Sequence, residues 1–186
     1  SSKSRTKLIV ATITLFAVTG LVLILTFSNT FSRVSDKKSI VVLPFKNLSG
    51  DPDNQYFADG IMEDVLNNLF RISDLRVISR TTSEHFRDTE MTAGEIARQL
   101  NASNVLESSI RRDGDRVRIS VQLIDASRDQ HLWSHNYDRT ITDMIDVQGE
   151  IALQIADRLN AVISASEAQQ LKKIPTNSPE AYDNYL

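Results

Sequence analysis

The chain has no cysteine among its 186 residues. That removes disulfides, thiol nucleophiles and cysteine-based metal sites, while leaving the compartment open. Glycine (six) and proline (four) are too few for a low-complexity chain. The formal net charge is −3, so no global basic field is available for nucleic acid. Gly50 and Gly60 complete neither G-x-x-x-x-G-K-[ST] nor G-x-G-x-x-G, so no phosphate cradle is expected and no cofactor is implied. There is no G-x-S-x-G elbow either.

What is present begins with Leu8–Phe27 (LIVATITLFAVTGLVLILTF), which holds no charge, Asn, Gln or Pro. Twenty helical residues reach about 30 Å, the thickness of bilayer hydrocarbon. The stretch predicts one transmembrane helix over 8–28, with a flank at 1–7 and a polar linker at 29–38. A cleaved signal peptide is the competing reading. Against it, the run exceeds the usual h-region and no small-x-small site follows cleanly. Lys3, Arg5 and Lys7 crowd its amino side, whereas Arg33, Lys37 and Lys38 lie further off. That bias favours a cytoplasmic amino end and a soluble domain outside. Membrane lipid around residues 8–27 is thus an expected partner. Ser1 is not Met, as in a piece of a longer protein.

Residues 39–168 read as one α/β domain. Ser39–Phe45 (SIVVLPF) is β-branched, apolar and closed by proline, which suits a strand buried on both faces. Turn formers fill Lys46–Asn54. A helix follows over 55–72, with Phe57, Ile61, Val65, Leu69 and Ile72 on one side. Leu75–Arg80 reads as a strand and Ala93–Leu100 as a short helix that Asn101 stops in the left-handed region. Asn104–Arg112 and Arg116–Asp125 flank Asp113-Gly114, the signal of a type I′ hairpin. That turn sets Ile110 opposite Val117, Ser108 opposite Ile119 and Leu106 opposite Val121. Arg111, Arg116, Arg118, Ser109, Glu107 and Gln122 then share the other face. His131–Tyr137 is a fifth strand, with parity open between Leu132 and Trp133. A last helix spans 143–166 on the stripe Val147, Ile151, Ile155, Leu159 and Val162. The expectation is a layered domain with a five-stranded mixed sheet and about three helices. Ser178-Pro179-Glu180 opens a further helix, so 169–186 reads as a linker and the start of a truncated helical-repeat region.

Few residues point to chemistry. His131 and His135 are four apart, but on a strand that is about 13 Å, too far to share an ion. His85 stands beside Glu84 and Asp88, the weak basis for a hydrolase reading. Asp51, Asp53 and Asn54 imitate the opening of a calcium loop. Tyr56 and Met62 then occupy its glycine and glutamate positions, so turn and cap roles are favoured and no metal is expected. Such a loop still presents acceptors to a partner. Arg111, Arg112, Arg116 and Arg118 form the local basic patch, interleaved with Glu107, Asp113 and Asp115. The bland reading is a solvated hairpin face; the sharper one is a contact for acidic headgroups or an acidic partner. Asp51, Asp53, Asn54 and these four arginines are the candidate interaction surface.

Several short motifs occur in one series: VLPF (42–45), NLSG (47–50), YFADG (56–60), VISR (77–80), GDRV (114–117), QLIDA (122–126), HLW (131–133) and YDR (137–139). In that order the chain resembles the TolB amino-terminal-domain-like module of bacterial membrane-anchored signalling proteins. The resemblance implies a cytoplasmic nucleotide cyclase or DNA-binding domain, then a transmembrane helix, this module and tetratricopeptide repeats. Pro175–Leu186 is similar to the entry into those repeats. The family has no catalytic residues in this module, so none transfer and this segment is not expected to be an enzyme.

The expected function is therefore an extracytoplasmic sensing or protein-interaction module of a single-pass protein of the bacterial inner membrane. Its soluble domain would lie in the periplasm and bind a protein partner or its own downstream repeats, with a homodimer left open. The alternative is an envelope-assembly or structural interaction protein.

Overall fold

The computed structural model describes residues 38–172, apart from the side chains of Thr142 and Ile145. The expected transmembrane helix at 8–28 and the repeat entry near Ser178 lie outside the described residues. Among the described residues, no helix is long and apolar enough to cross a membrane.

Strand β1 (Ser39–Val42) is fully buried, as its unbroken apolar run requires. Strand β2 (Lys46–Asn47) and a short 3₁₀ turn (Pro52–Asn54) lead into helix α1 (Gln55–Phe70). Strand β3 (Arg76–Val77) and helix α2 (Arg80–Glu84) follow. Helix α3 (Ala93–Leu100) is bounded by a Thr92–Glu95 capping box and by Asn101 at φ 50°. Strands β4 (Asn104–Asp113), β5 (Arg116–Asp125) and β6 (Gln130–Thr140) form a meander. Helices α4 (Met144–Arg158) and α5 (Ala165–Leu171) complete the domain. The sheet therefore has six strands rather than five, in the order β3-β1-β4-β5-β6 with β2 also on β4. Among the described residues there are five α-helices, against the expected three or so. Strands β1, β2 and β3 pair in parallel, and the meander is antiparallel.

The main core fills one face of the sheet. Phe57, Ile61, Val65 and Leu69 of α1 and Val147, Ile151 and Ile155 of α4 meet Ile40, Val42, Leu106, Ile119 and Leu123. Each such side chain contributes about 1.5–3 kcal/mol by leaving water. A smaller cluster of Val41, Ala97, Ala102, Val105 and Ile124 lies on the other face, under α3. It covers one end of that face only.

Three local expectations need correction, and one open point is closed. The hairpin loop is Gly114-Asp115, and the true pairs are Arg112↔Val117, Ile110↔Ile119 and Leu106↔Leu123. Of the two loop residues only Gly114 has a positive φ, +57°, the sign pattern of a type II′ turn rather than I′. The slip is two residues, so every side chain keeps its expected face. Strand 75–80 shrinks to Arg76–Val77, because Ser79 ends it and opens α2. The 143–166 helix stops at Arg158. Asn160 takes φ 51°, and the Ala161 and Asn160 amides bond back to Ala156 and Asp157 at 2.8 and 3.0 Å, a Schellman closure. Val162 is consequently 71% exposed instead of in the apolar stripe. Finally, a bulge between Leu123 and Ile124 sets Trp133 opposite Leu123 and His131 opposite Ile124, which settles the parity of β6. The expected boundary at 168 falls inside α5, whose Leu171 is buried in the core.

Gly149 marks where α5 closes on α4. An added Cβ there would lie 2.5 Å from the Leu171 carbonyl oxygen, a backbone atom. Alanine for glycine in an exposed helix interior stabilises by about 1 kcal/mol. Gly149→Ala should instead destabilise the full chain by about 1–3 kcal/mol, lowering the urea midpoint at unchanged m-value. A raised midpoint would contradict this seating of α5.

Candidate functional site

Two places on the domain concentrate unpaired polar groups. The first is an open groove at the hairpin tip. Register sets Arg111 directly opposite Arg118, and Arg116 opposite Asp113. Arg118 forks onto Asp138 of β6, with Nε and Nη2 donating at 2.6 and 3.2 Å. That hydrogen bond raises the Arg118 pKa and lowers the Asp138 pKa from their ordinary values. Arg139 also lines the groove, whose volume is about 520 Å³. Its guanidinium is 3.9 Å from Glu150. Neither Arg111 nor Arg116 has an ion pair or side-chain hydrogen bond among the described residues.

The remaining candidate residues do not join them. Arg112 lies on the opposite face, its guanidinium 4.9 Å from the centre of the Phe57 ring. Its amide donates to Ser49 Oγ at 2.9 Å, fastening the 48–54 loop to the hairpin. Within that loop Asp51 Oδ1 accepts from the Asp53 amide at 2.9 Å, and the Asn54 amide bonds the Asp51 carbonyl. These residues cap a turn, as their types favour. Groups of three or more His, Asp or Glu able to hold a metal are absent among the described residues. His85 Nδ1 lies 2.8 Å from the Thr81 carbonyl. His135 is sandwiched in a ring row, 6.1 Å from Trp133 and 4.6 Å from Tyr137. Burial, with Glu150 nearby, pushes the Tyr137 phenol up to about 12.

The second place is a cavity that sequence reasoning missed. It begins at Pro44, which has no N–H to give to a strand ladder. Between Val42↔Leu106 and Lys46↔Ser109, four steps on one strand match three on β4. The extra residue opens the pairing at Pro44–Phe45. A cavity of about 200 Å³ lies there, lined by Leu43, Pro44 and Lys46, by Glu107, Ser108 and Ser109 of β4, and by Ser120 and Gln122 of β5. Its far wall is Phe86, Arg87, Thr89, Met91 and Ile96. Lys46 and Glu107 make no ion pair among the described residues. The Ser108 side chain alternates to the core face with Leu106 and Ile110, where its Oγ is buried without a hydrogen-bond partner among the described residues.

A chain of side chains holds the far wall in place. Gln55 Nε2 donates to the Phe45 carbonyl at 3.4 Å and to Asp59 Oδ1 at 2.8 Å. Arg87 Nη2 donates to the same Asp59 oxygen at 2.8 Å, and its Nε to Glu84. The Glu84 bond is the main cause of a raised Arg87 pKa; burial opposes it and Asp59 adds to it. The VLPF motif therefore makes the gap, and Asp59 of YFADG secures the loop across it. The pairing of these two motifs was the available signal, but neither names the Glu107, Ser109, Ser120 and Gln122 floor.

This arrangement is that of a regulatory or binding module: polar surfaces on a rigid sheet, with its helices spent on the core. Residues 35–156 match the HilA/YgeH-like transcriptional regulator, second domain, and the chain belongs to that family. It is 41% identical over 147 residues to a protein of Rhizobium meliloti (strain 1021) named "Putative adenylate cyclase 3". The match takes in 79% of this chain and 25% of that protein, so the chain spans about a quarter of the curated relative's length. Among solved structures, TolB from Acinetobacter baumannii is 16% identical, with a TM-score of 0.49, over 65% of this chain and 28% of that one. Lipoprotein GNA1162 from Neisseria meningitidis is 17% identical, with a TM-score of 0.47, over 68% and 99%.

The Asp59–Arg87 bond is three-quarters shielded from solvent on both sides. Asp59→Asn keeps the Gln55 contact and removes the charge from the Arg87 one. The expected cost is about 1 kcal/mol. Amide exchange over 86–91 should quicken more than exchange in β4 and β5. Equal protection of the 86–91 loop in both proteins would mean that Asp59 does not hold it.

Proposed function

We propose that the chain is the extracytoplasmic protein-interaction module of a single-pass bacterial signalling protein. The observation that carries this is that one domain matches two outputs. The same stretch corresponds to the second domain of a transcriptional regulator and to a quarter of a protein named as a cyclase. A domain common to both outputs supplies neither; its part is to receive and relay. The uncharged run 8–27 immediately upstream supports an inner-membrane anchor with a cytoplasmic amino end and a periplasmic domain. On this reading the effector, a cyclase or a DNA-binding domain, lies across the membrane. The partner is another protein or helical repeats following the domain.

The surface we assign to the partner is the hairpin-tip groove. Arg111 and Arg116 are free to fork onto carboxylates of an acidic partner, beside the pre-formed Arg118–Asp138 pair.

Two experiments test this. A periplasm-dependent reporter fused after Leu186 should be active in the bacterium, and a cytoplasm-dependent one silent; the reverse pattern would overturn the topology. In the full-length signalling protein, Arg111→Glu with Arg116→Glu should lower the effector's output at least tenfold while abundance and melting temperature stay unchanged. Undiminished output would remove the groove from partner recognition.

A further inference from the structure

We propose that the cavity beneath the 85–91 loop binds a free amino acid with an apolar side chain. The inference stands apart from the partner groove: both lie on one face of the sheet, but the cavity sits beside Pro44 and the groove at the hairpin tip, and the cavity needs no protein partner.

The argument starts with charge. Three charged side chains line the cavity: Lys46, Arg87 and Glu107. The Arg87 guanidinium is already answered by Asp59 and Glu84. Lys46 and Glu107 are left, opposite in sign and unpaired with each other. Lys46 registers on Ser109, two residues beyond Glu107 on the neighbouring strand. Strand spacing and rise put their Cα atoms about 8 Å apart. A molecule with a carboxylate at one end and an ammonium at the other answers both charges at once, through charge-assisted hydrogen bonds.

Polarity and size narrow the class. Across the floor, Gln122 lies opposite Glu107 and Ser120 opposite Ser109; their amide and hydroxyl groups add donors and acceptors beside the charges. The facing wall of Phe86, Met91 and Ile96 is apolar and suits a hydrocarbon side chain. A volume of about 200 Å³ equals about seven waters at ~30 Å³ each and falls below the ~300–1,000 Å³ of drug-sized sites. A peptide is too large. A neutral sugar leaves both charges unanswered, and a phosphate meets the Glu107 carboxylate.

Calorimetric titration of the full chain with L-leucine, N-acetyl-L-leucine and L-leucinamide tests the assignment. Leucine should bind, and blocking either end should weaken binding at least tenfold. Glu107→Gln should abolish the penalty for acetylation but keep the penalty for amidation. Lys46→Met should do the opposite. Neither side chain has an ion pair or hydrogen bond among the described residues, so both variants should melt with the wild type. Three results would each overturn the proposal: no free apolar amino acid binding more tightly than about 1 mM, equal binding of the blocked and free forms, or tighter binding of inorganic phosphate or glucose.

Discussion

The missing N–H of Pro44 is the constraint that shapes the rest of the domain's working surface. The Leu43 amide gives the last bond of the β1–β4 ladder, to the Leu106 carbonyl at 3.0 Å; Pro44 has no N–H with which to continue a strand, and the two chains rejoin one residue out of step at Lys46. The parting frees the Phe45 carbonyl, which Gln55 of α1 takes up. Gln55 also touches Asp59, and Asp59 reaches Arg87 on the loop opposite. One proline thereby links strand, helix and loop, and leaves a cavity where continuous pairing would have closed the sheet. Phe45, one residue on, stays wholly buried, so the bulge is anchored by the core and not merely tolerated at an edge.

The distribution of helices sets what kind of function the domain can have. Both long helices, α1 and α4, are committed to a single face of the sheet. The short α3 covers only one end of the other face. The remainder of that face carries Ser109, Arg111, Arg118, Ser120 and Asp138, a polar surface on strands whose other side is packed apolar residues. Such a surface is stiff, because its backbone is held by ladders on both sides, and it is wet. Recognition of charged or polar partners suits it better than chemistry that requires water to be excluded.

How much of this was legible in the sequence depends on which signals are local. Alternation in β4 and β5 assigned every side chain to its face, because period two survives an error of two residues; the register itself depended on which pair forms the turn, and Asp-Gly here lends only its glycine to the loop. The α1 stripe from Phe57 to Ile72 was legible, since one helix face meets one core. The α4 stripe extends too far in the sequence, because Asn160 is an ordinary helix residue by composition and becomes a stop only through its left-handed φ. Asn101 does the same job and was legible, since Asn104 onward already looks like strand. The Ser164–Glu167 capping box that starts α5 was present as S-x-x-E but lay hidden inside the overlong helix. The cavity floor was invisible for a different reason. Glu107, Ser109, Ser120 and Gln122 look like solvated strand residues until the loop at 86–91 is folded over them, and that loop has no periodicity of its own.

The relay role we propose draws on one more feature, the turn at Ser73–Asp74. Asp74 Oδ2 accepts from Lys38, at the entry to β1, and from the Val162 amide, in the link between α4 and α5. Next to it, the Ser73 amide donates to Glu167 of α5 at 2.9 Å. The entry to the domain and its last helix are therefore fastened to the same two residues. Hydrogen bonds from Lys38 and then Val162 hold the Asp74 carboxyl below its ordinary range, and bonds from Ser73 and Ser164 hold Glu167 at about 2. A carboxylate whose folded pKa is depressed stabilises fully above its unfolded value and loses that contribution only as pH falls through the folded one. Both fastenings are thus intact throughout the neutral range. Solvent screens each contact, so their importance is geometric: a shift at residue 38 and a shift at α5 are not independent. The chain entering at residue 38 and the chain leaving through α5 are thus tied at one turn, the geometry that the proposed relay calls for.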